Sequence, residues 1–441
     1  MNRFILIAVT LLLTTTLNAQ GFKLDTLLFN GPVDSRVNYV FLGDGYVDSE
    51  LDDFLDDAKG MVDDLFGQSP FKEYKDYFNV FAISVPSNES GAALSPNSPI
   101  DNYFGSTFGY AGIDRLLVPT KSNRVTTILA NQFPEYDQVF MVVNSTKYGG
   151  SGGWIATSSV HSSAGEIAIH EIGHSFGDLR DEYWAGAQYA LEKANMSRTS
   201  NPNTVRWKNW VGTDDVGVYE YPSPGNGWYK PHQGCKMQYL GFPFCGVCKE
   251  TITEKVLSLT EPIIDYSPLN DSIVSLDDSV LFNINLLAPN PNTISVEWKL
   301  DEQPIKESAS LHLGNQDVPM GKSKLEAVVF DETDFSRKDN ATTYRMYTIK
   351  WELNKNQSVS ISGAVEQELV ISVYPNPARD ILYIKSDLDL QSARVFDMNG
   401  RVLMSHNGPL VQIDIDEFEA GVYVLELELN GKVLHHNFIV E

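Results

Sequence analysis

Two histidines four residues apart, His170 and His174, with Glu171 directly after the first, carry more chemistry than any other pattern in this chain. On an α-helix, residues i and i+4 lie one above the other on one face, so two imidazoles at that spacing can share one cation. Glu171 projects beside that face, within reach of a water on the ion without ligating it. This H-E-x-x-H arrangement is that of zinc hydrolases. A helix must hold it, and the flanks supply one. Ser163 and Glu166 read as a capping box, Ile167, Ala168, Ile169, Ile172 and Phe176 offer apolar packing, and Gly177 reads as a C-terminal stop. Gly173 inside the helix costs about 1 kcal/mol relative to alanine, which a close approach of the backbone to metal or substrate would justify.

A catalytic zinc needs a third protein ligand and an open position for water. After Gly177 the chain runs Asp178-Leu179-Arg180-Asp181-Glu182-Tyr183. The metzincin spacing H-E-x-x-H-x-x-G-x-x-H would put its third ligand at Arg180, whose permanently protonated guanidinium cannot ligate. His161 and His232 are the other histidines in this half of the chain, so an acidic ligand is expected: Asp181, with Glu182 as the alternative. The run His170-Glu171-Ile172-Gly173-His174-Ser175-Phe176-Gly177, with Leu179 and Asp181-Glu182-Tyr183, resembles the active-site signature of the IgA-peptidase family of bacterial zinc metallopeptidases. The resemblance extends from about residue 38 to about residue 259. It includes Leu42-Gly43-Asp44-Gly45-Tyr46, Ser87-Asn88-Glu89-Ser90-Gly91, Cys235-Lys236-Met237 and Phe244-Cys245-Gly246-Val247-Cys248. It implies a metzincin-like fold and hydrolysis of peptide bonds, without making IgA the substrate.

Metzincins place a methionine-containing turn beneath the metal, and Met237, in the turn-rich stretch that begins at Pro231, fits that place. Tyr239, two residues on, matches the M-x-Y of some metzincins and is the expected oxyanion contact. Cys235, Cys245 and Cys248 all lie in this segment. In an exported protein a disulfide from Cys235 to Cys245 or Cys248 is the first expectation, and a Cys₃His structural zinc site that includes His232 is its rival.

The elements that must position these groups read as α+β: a zincin/metzincin-like catalytic domain, a twisted sheet with the active-site helix. Residues 38–42, 78–85 and 138–143 are strand-like, and 49–66 is amphipathic, its acids forming a solvated face. Within residues 148–159 the glycines make a flexible loop, and 154–157 is a candidate edge strand beside the cleft for an extended peptide. Beyond residue 259, short strand-like runs suggest an immunoglobulin-like β-sandwich. Near the end, Tyr374-Pro375-Asn376-Pro377, the stretch from Arg394 to Arg401 with its Asn399-Gly400 hairpin signal, and Gly421-Val422-Tyr423 resemble the carboxy-terminal sorting domain of type IX secretion cargo, a small β-sandwich. The expected organisation is a signal peptide at 1–19, a zinc metallopeptidase catalytic domain at 20–260, the Ig-like sandwich at 261–355, a linker at 356–371 and the sorting domain at 372–441.

The 441 residues carry a net charge of −25, with 42% hydrophobic and 21% charged side chains. That composition is globular, and its sign argues against nucleic acid and anionic membranes as partners. Clustered aspartates could hold structural Ca²⁺. The apolar run of the leader is too short to span a bilayer, and no other stretch is long enough. The expectation is therefore a secreted or cell-surface zinc endopeptidase with one catalytic Zn²⁺, Glu171 as its general base, a protein or peptide substrate and the type IX machinery as partner. A non-catalytic zinc-containing adhesin and a zinc amidase acting on a non-protein amide are the alternatives.

Overall fold

In the computed structural model the chain opens with β1 (Lys23–Leu28), β2 (Val37–Asp44), α1 (Leu51–Phe66) and β3 (Phe78–Ser84). A short antiparallel ribbon follows, β4 (Ser106–Thr107) with β5 (Val118–Pro119). Next come α2 (Ser122–Gln132), β6 (Gln138–Val143), β7 (Gly150–Ser151), β8 (Ile155–Ser159) and α3 (Ala164–Ser175). One six-stranded sheet has the order β1-β3-β2-β6-β8-β7, with β3, β2, β6 and β8 parallel and the two edges antiparallel. The described residues are 21–276, 279–339, 342–355, 371–386, 390–397, 400–429 and 432–440. The expected signal peptide, Asn399 and all but the last residue of the expected linker lie outside them.

Strands β2, β3 and β6 are buried at every position, as continuous apolar runs require when both faces of a parallel sheet are covered. Alternate side chains of β2 serve different cores: Val37, Tyr39 and Phe41 meet α1 and α3, whereas Val40 and Leu42 meet α2. Helix α1 buries Phe54, Ala58, Met61, Val62, Leu65 and Phe66 at helical spacing. Its acids Asp52, Asp53, Asp56, Asp63 and Asp64 are exposed, and Asp57 accepts a hydrogen bond from Tyr46 at 2.8 Å. Past α3 come β9 (Tyr219–Glu220), β10 (Tyr229–Lys230) and α4 (Gly246–Leu259), whose Ile252, Val256 and Leu257 join the core of α1 and α3. The two sequence signatures around Gly45 and Gly91 clip together: Gly91 N–H donates to Gly45 C=O at 2.8 Å and Ser87 N–H to Tyr46 C=O at 2.7 Å.

Residues 261–355 form two sheets. One contains β11 (Ile263–Ser267), β13 (Ser279–Leu286) and β16 (Ser310–Gly314). The other contains β12 (Val274–Ser275), β18 (Met346–Lys355), β17 (Gly321–Asp331), β14 (Ile294–Leu300) and β15 (Gln303–Glu307). Trp298 stacks on Trp351 at 5.5 Å, and Phe282 from the first sheet meets Trp351 edge-on at 5.3 Å. This pair of sheets packs with the preceding residues: Tyr74 donates to Asp331 at 2.8 Å, and Tyr77 donates to Leu287 C=O at 2.5 Å. The described residues divide into two compact units, one holding residues up to 355 and one holding those from 371.

The second unit has a sheet of β19 (Ile371–Tyr374), β20 (Ile381–Ser386) and β23 (Gln412–Asp414), and another of β22 (Val402–Asn407), β21 (Leu390–Phe396), β24 (Gly421–Leu429) and β25 (Lys432–Val440). Tyr423, Leu425, Leu427 and Leu429 alternate inward along β24 into a core shared by both sheets. The architecture is mixed α+β and mostly sheet. Among the described residues no helix is long and apolar enough to cross a membrane.

Candidate metal centre

Helix α3 forms where its apolar spacing predicts, but its start is built differently. Ser163 occupies the N-cap position without a side-chain cap bond. Glu166 is used elsewhere, accepting from Gln68 Nε2 at 2.8 Å, from the Lys236 ammonium and from Gly241 N–H. At the other end the helix stops at Ser175, and the left-handed residue is Asp178, φ 51, rather than Gly177. This reversal lets Leu179 N–H donate back to Gly173 C=O at 3.1 Å and carries the chain past the histidine face.

The rings of His170 and His174 meet edge-on, with centroids 4.8 Å apart. His170 Nδ1 lies 2.9 Å from Lys236 C=O, and His174 Nδ1 lies 2.8 Å from Leu179 C=O. A carbonyl can only accept, so each Nδ1 carries a proton and each Nε2 is the ring atom turned toward the carboxylate, the one a metal ion would take in place of a proton. Both Nε2 atoms are 3.2 Å from Asp181 Oδ1, a buried oxygen with no hydrogen-bond partner of its own. Asp181 is fixed through its backbone neighbours: Tyr221 donates to Asp181 C=O at 2.7 Å, and Arg180 exchanges two bonds with the Asn195 amide at 2.8 and 2.7 Å. Burial opposes ionisation of Asp181, but the two imidazoles outweigh it and hold the carboxyl well below the usual range. The side chains of His170, His174 and Asp181 remain 11%, 18% and 17% exposed, so the point they share opens outward.

That opening is the floor of a cleft of about 1030 Å³. Glu171 lines it beside the histidines, its carboxyl raised by burial and drawn down by the two imidazoles. The glycine-rich loop lines the cleft beside them. The edge of the sheet is β7 (Gly150–Ser151), not the 154–157 stretch, because Gly150 and Ser151 pair with Ser158 and Thr157 of β8. A Cβ on Gly152 would fall 2.3 Å from His174 Cβ, so only glycine lets this loop lie on α3.

Met237 is fully buried directly beneath α3. A Cβ at Gly173 would lie 2.6 Å from Met237 Sδ and 3.2 Å from Phe244 Cε1, so the glycine makes room for the methionine rather than for metal or substrate. Gly173→Ala gains about 1 kcal/mol of helix propensity but overpacks a closed core, at about 1–3 kcal/mol. We expect a net loss of stability of about 1 kcal/mol in chemical denaturation. A more stable variant would show that the methionine has room to move.

The structure separates two tyrosines. Tyr239 lies outside the lining of the cleft, half exposed and packed against Phe242 at 5.7 Å. Tyr183 lines the cleft instead, its hydroxyl accepting from Arg115 Nη2 at 3.1 Å. Its signal in the sequence was its place in the Asp181-Glu182-Tyr183 run of the family signature, which gave it no role of its own. The cysteines are free and buried, with Cys235 Sγ and Cys248 Sγ 3.7 Å apart, so the expected disulfide is not formed. His232 stands apart from them, its Nδ1 accepting from Gly234 N–H at 2.9 Å. Glu182 points into the thiols, away from the histidines: its Oε1 is 3.3 Å from Cys248 Sγ. Among the described residues, two groups of side chains are placed to hold a cation: His170, His174 and Asp181, and Glu182 with the three cysteines. The α1 acids belong to neither.

Two imidazoles, a carboxylate and an adjacent glutamate at the floor of a peptide-sized cleft define a candidate metallohydrolase. Residues 26–216 match the family model of the IgA Peptidase M64 family, a metallopeptidase family, and residues 372–441 match that of the secretion system C-terminal sorting domain. The sorting domain marks the protein for export, to the medium or the cell surface, by the type IX system. The first match ends before the methionine turn and the cysteines. No curated protein matches the chain. Among solved structures, dimeric latent PorU from Porphyromonas gingivalis is 14% identical over 40% of this chain and 20% of its own, with a TM-score of 0.20. The chain thus corresponds to one fifth of that protein's length. Fibronectin(III)-like modules of CbhA from Clostridium thermocellum are 9% identical over 40% of this chain and 92% of theirs, with a TM-score of 0.17. Neither likeness is close enough to assign a fold.

Proposed function

We propose that this chain is a secreted zinc-dependent endopeptidase, with a metzincin-like catalytic domain at 20–260, an Ig-like sandwich at 261–355 that braces it, and a sorting domain at 372–441 that directs its export. The observation that carries the reading is the convergence of His170 Nε2, His174 Nε2 and Asp181 Oδ1 beside Glu171 in an open cleft. Two imidazole nitrogens and a carboxylate oxygen suit a catalytic zinc, and 3.2 Å separations are close to the roughly 3.4 Å between two such donors on a tetrahedral ion. The orphaned Asp181 Oδ1 is the atom that a cation would satisfy.

Zinc, when bound, supplies a Lewis acid that polarises a carbonyl and makes a water more acidic. The chain's own residues do the rest. Glu171 accepts the proton of the attacking water at its carboxylate and passes it to the leaving amine. Tyr183, held by Arg115, presents its hydroxyl near the carbonyl oxygen as charge develops there. The exposed edge through Gly150 to Trp154 offers main-chain groups to an extended peptide. Tyr110, Ile113, Trp154 and Tyr189, all exposed along the cleft, favour substrates with apolar side chains around the cut bond.

The test is hydrolysis of a mixed peptide library by the purified chain from Gln20, read by mass spectrometry. Cleavage is expected next to apolar residues, to vanish with a chelator and to return with zinc. A zinc-loaded chain that cuts no peptide would overturn the endopeptidase reading.

A further inference from the structure

Three cysteines and a glutamate meet in the core behind the catalytic helix, and nothing in the proposed hydrolysis uses them. Cys235 lies in the turn that carries Met237. Cys245 is the N-cap of α4 and Cys248 lies in its first turn, while Glu182 follows Asp181. All four are buried, and their ligand atoms lie within 4.8 Å of one another. We propose that Glu182, Cys235, Cys245 and Cys248 form a second, closed metal site, a Cys₃Glu structural zinc centre.

Geometry favours four ligands around an ion over a disulfide. Around a tetrahedral zinc, with Zn–S near 2.3 Å, two sulfurs stand about 3.8 Å apart, and a sulfur and an oxygen about 3.6 Å. The Cys235–Cys248 separation is 3.7 Å, and Glu182 Oε1 lies 3.3 and 3.9 Å from Cys248 and Cys245. The carboxylate is also only half satisfied by protein: Oε1 accepts from Asn195 Nδ2 at 3.2 Å, and Oε2 is buried with no partner at all. A fully enclosed carboxylate left half-satisfied among three thiols is costly unless something binds it. Binding would release the thiol protons and leave three thiolates and a carboxylate on a dication. The buried Lys230 ammonium, 2.7 Å from Glu182 C=O, offsets part of the remaining negative charge.

The contrast with the first cluster assigns the roles. His170, His174 and Asp181 open on the cleft and leave a position for water, whereas the cysteine cluster is buried and supplies four protein ligands, as structural zinc sites do. Its position gives it work. Glu182 N–H donates to Met237 C=O at 2.8 Å, and Lys236, beside Cys235, gives its carbonyl to His170 Nδ1. One ion would therefore tie the Asp181 segment, the methionine turn and α4 into a single mount for the catalytic face. It would also shield three thiols from oxidation in an exported protein.

The test is cobalt substitution in the full chain from Gln20, which reads thiolate ligation whether or not the protein cleaves peptides. Chelator-stripped chain reloaded with Co²⁺ is expected to bind two equivalents, one of them giving a thiolate-to-cobalt charge-transfer band in the near ultraviolet. That band is lost in Cys248→Ser and kept in His170→Ala/His174→Ala. Should Cys248→Ser not fold, the native chain still decides: its thiols are expected to resist alkylation until the metal is removed, and then all three to react. An intact mass two hydrogens short, thiols that alkylate equally with and without chelator, or bound cobalt with no thiolate band would each overturn the proposal.

Discussion

Glu171→Gln is expected to cleave peptides on the order of 10²–10⁴ times more slowly than the native chain while taking up metal as before. The side chains have the same shape, but the amide cannot accept the water's proton, so the loss falls on kcat rather than on KM. Metal uptake should persist because the donors are set by other contacts: Lys236 and Leu179 carbonyls orient the rings, and Tyr221 and Asn195 hold the Asp181 segment. Stability gives a second readout in the chelator-stripped chain. Burial raises the Glu171 pKa, so the ionised carboxylate costs the folded state stability at neutral pH, and that cost disappears below the ordinary value of about 4.3. Stripped Glu171→Gln should therefore be the more stable chain at neutral pH, with the two converging in acid. Peptide cleavage at the native rate would place the base elsewhere, and loss of metal would place Glu171 among the ligands.

What the sequence made legible was local or periodic. The histidine face of α3, the amphipathic α1 and the apolar runs of β2, β3 and β6 each follow from spacing within one segment. What it hid was the destination of side chains in other segments. Asp181 and Glu182 looked like rivals for one position, because sequence spacing cannot say which way each of two adjacent carboxylates turns. In the structure they turn opposite ways, Asp181 to the imidazoles and Glu182 to the thiols. Cys235, Cys245 and Cys248 were visible as a set, but their acidic neighbour lies more than fifty residues earlier, where only tertiary packing brings it in. Glu166 fails as a capping-box residue for the same reason: a buried ammonium seventy residues later outcompetes the local backbone N–H.

That ammonium sets the second large effect. Lys236 is wholly enclosed and ion-paired to Glu166, which is itself about a third exposed at 32%. Glu166→Ala would strand a buried positive charge, and breaking such a pair from one side costs about 3–5 kcal/mol. Because water can reach the space left by Glu166, the low end, about 3 kcal/mol, is the expected loss. A drop of several degrees in the melting temperature of the first unit would report it. Activity should fall further than the fraction unfolded explains, since the Lys236 carbonyl orients His170 and the turn beneath it carries Met237. Glu166→Gln keeps an acceptor for Lys236 and Gly241 and should lose less. The pH dependence has a definite sign. Burial works against the Glu166 carboxylate, but Lys236 and the Gly241 N–H outweigh it and hold its pKa below the ordinary value. Its contribution is thus present above about pH 4.3 and lost as pH falls through the lowered value, a slope that Glu166→Ala should lack. Equal melting of native and Glu166→Ala chains at neutral pH would mean that Lys236 finds another partner, and that the helix is held to its turn by packing alone.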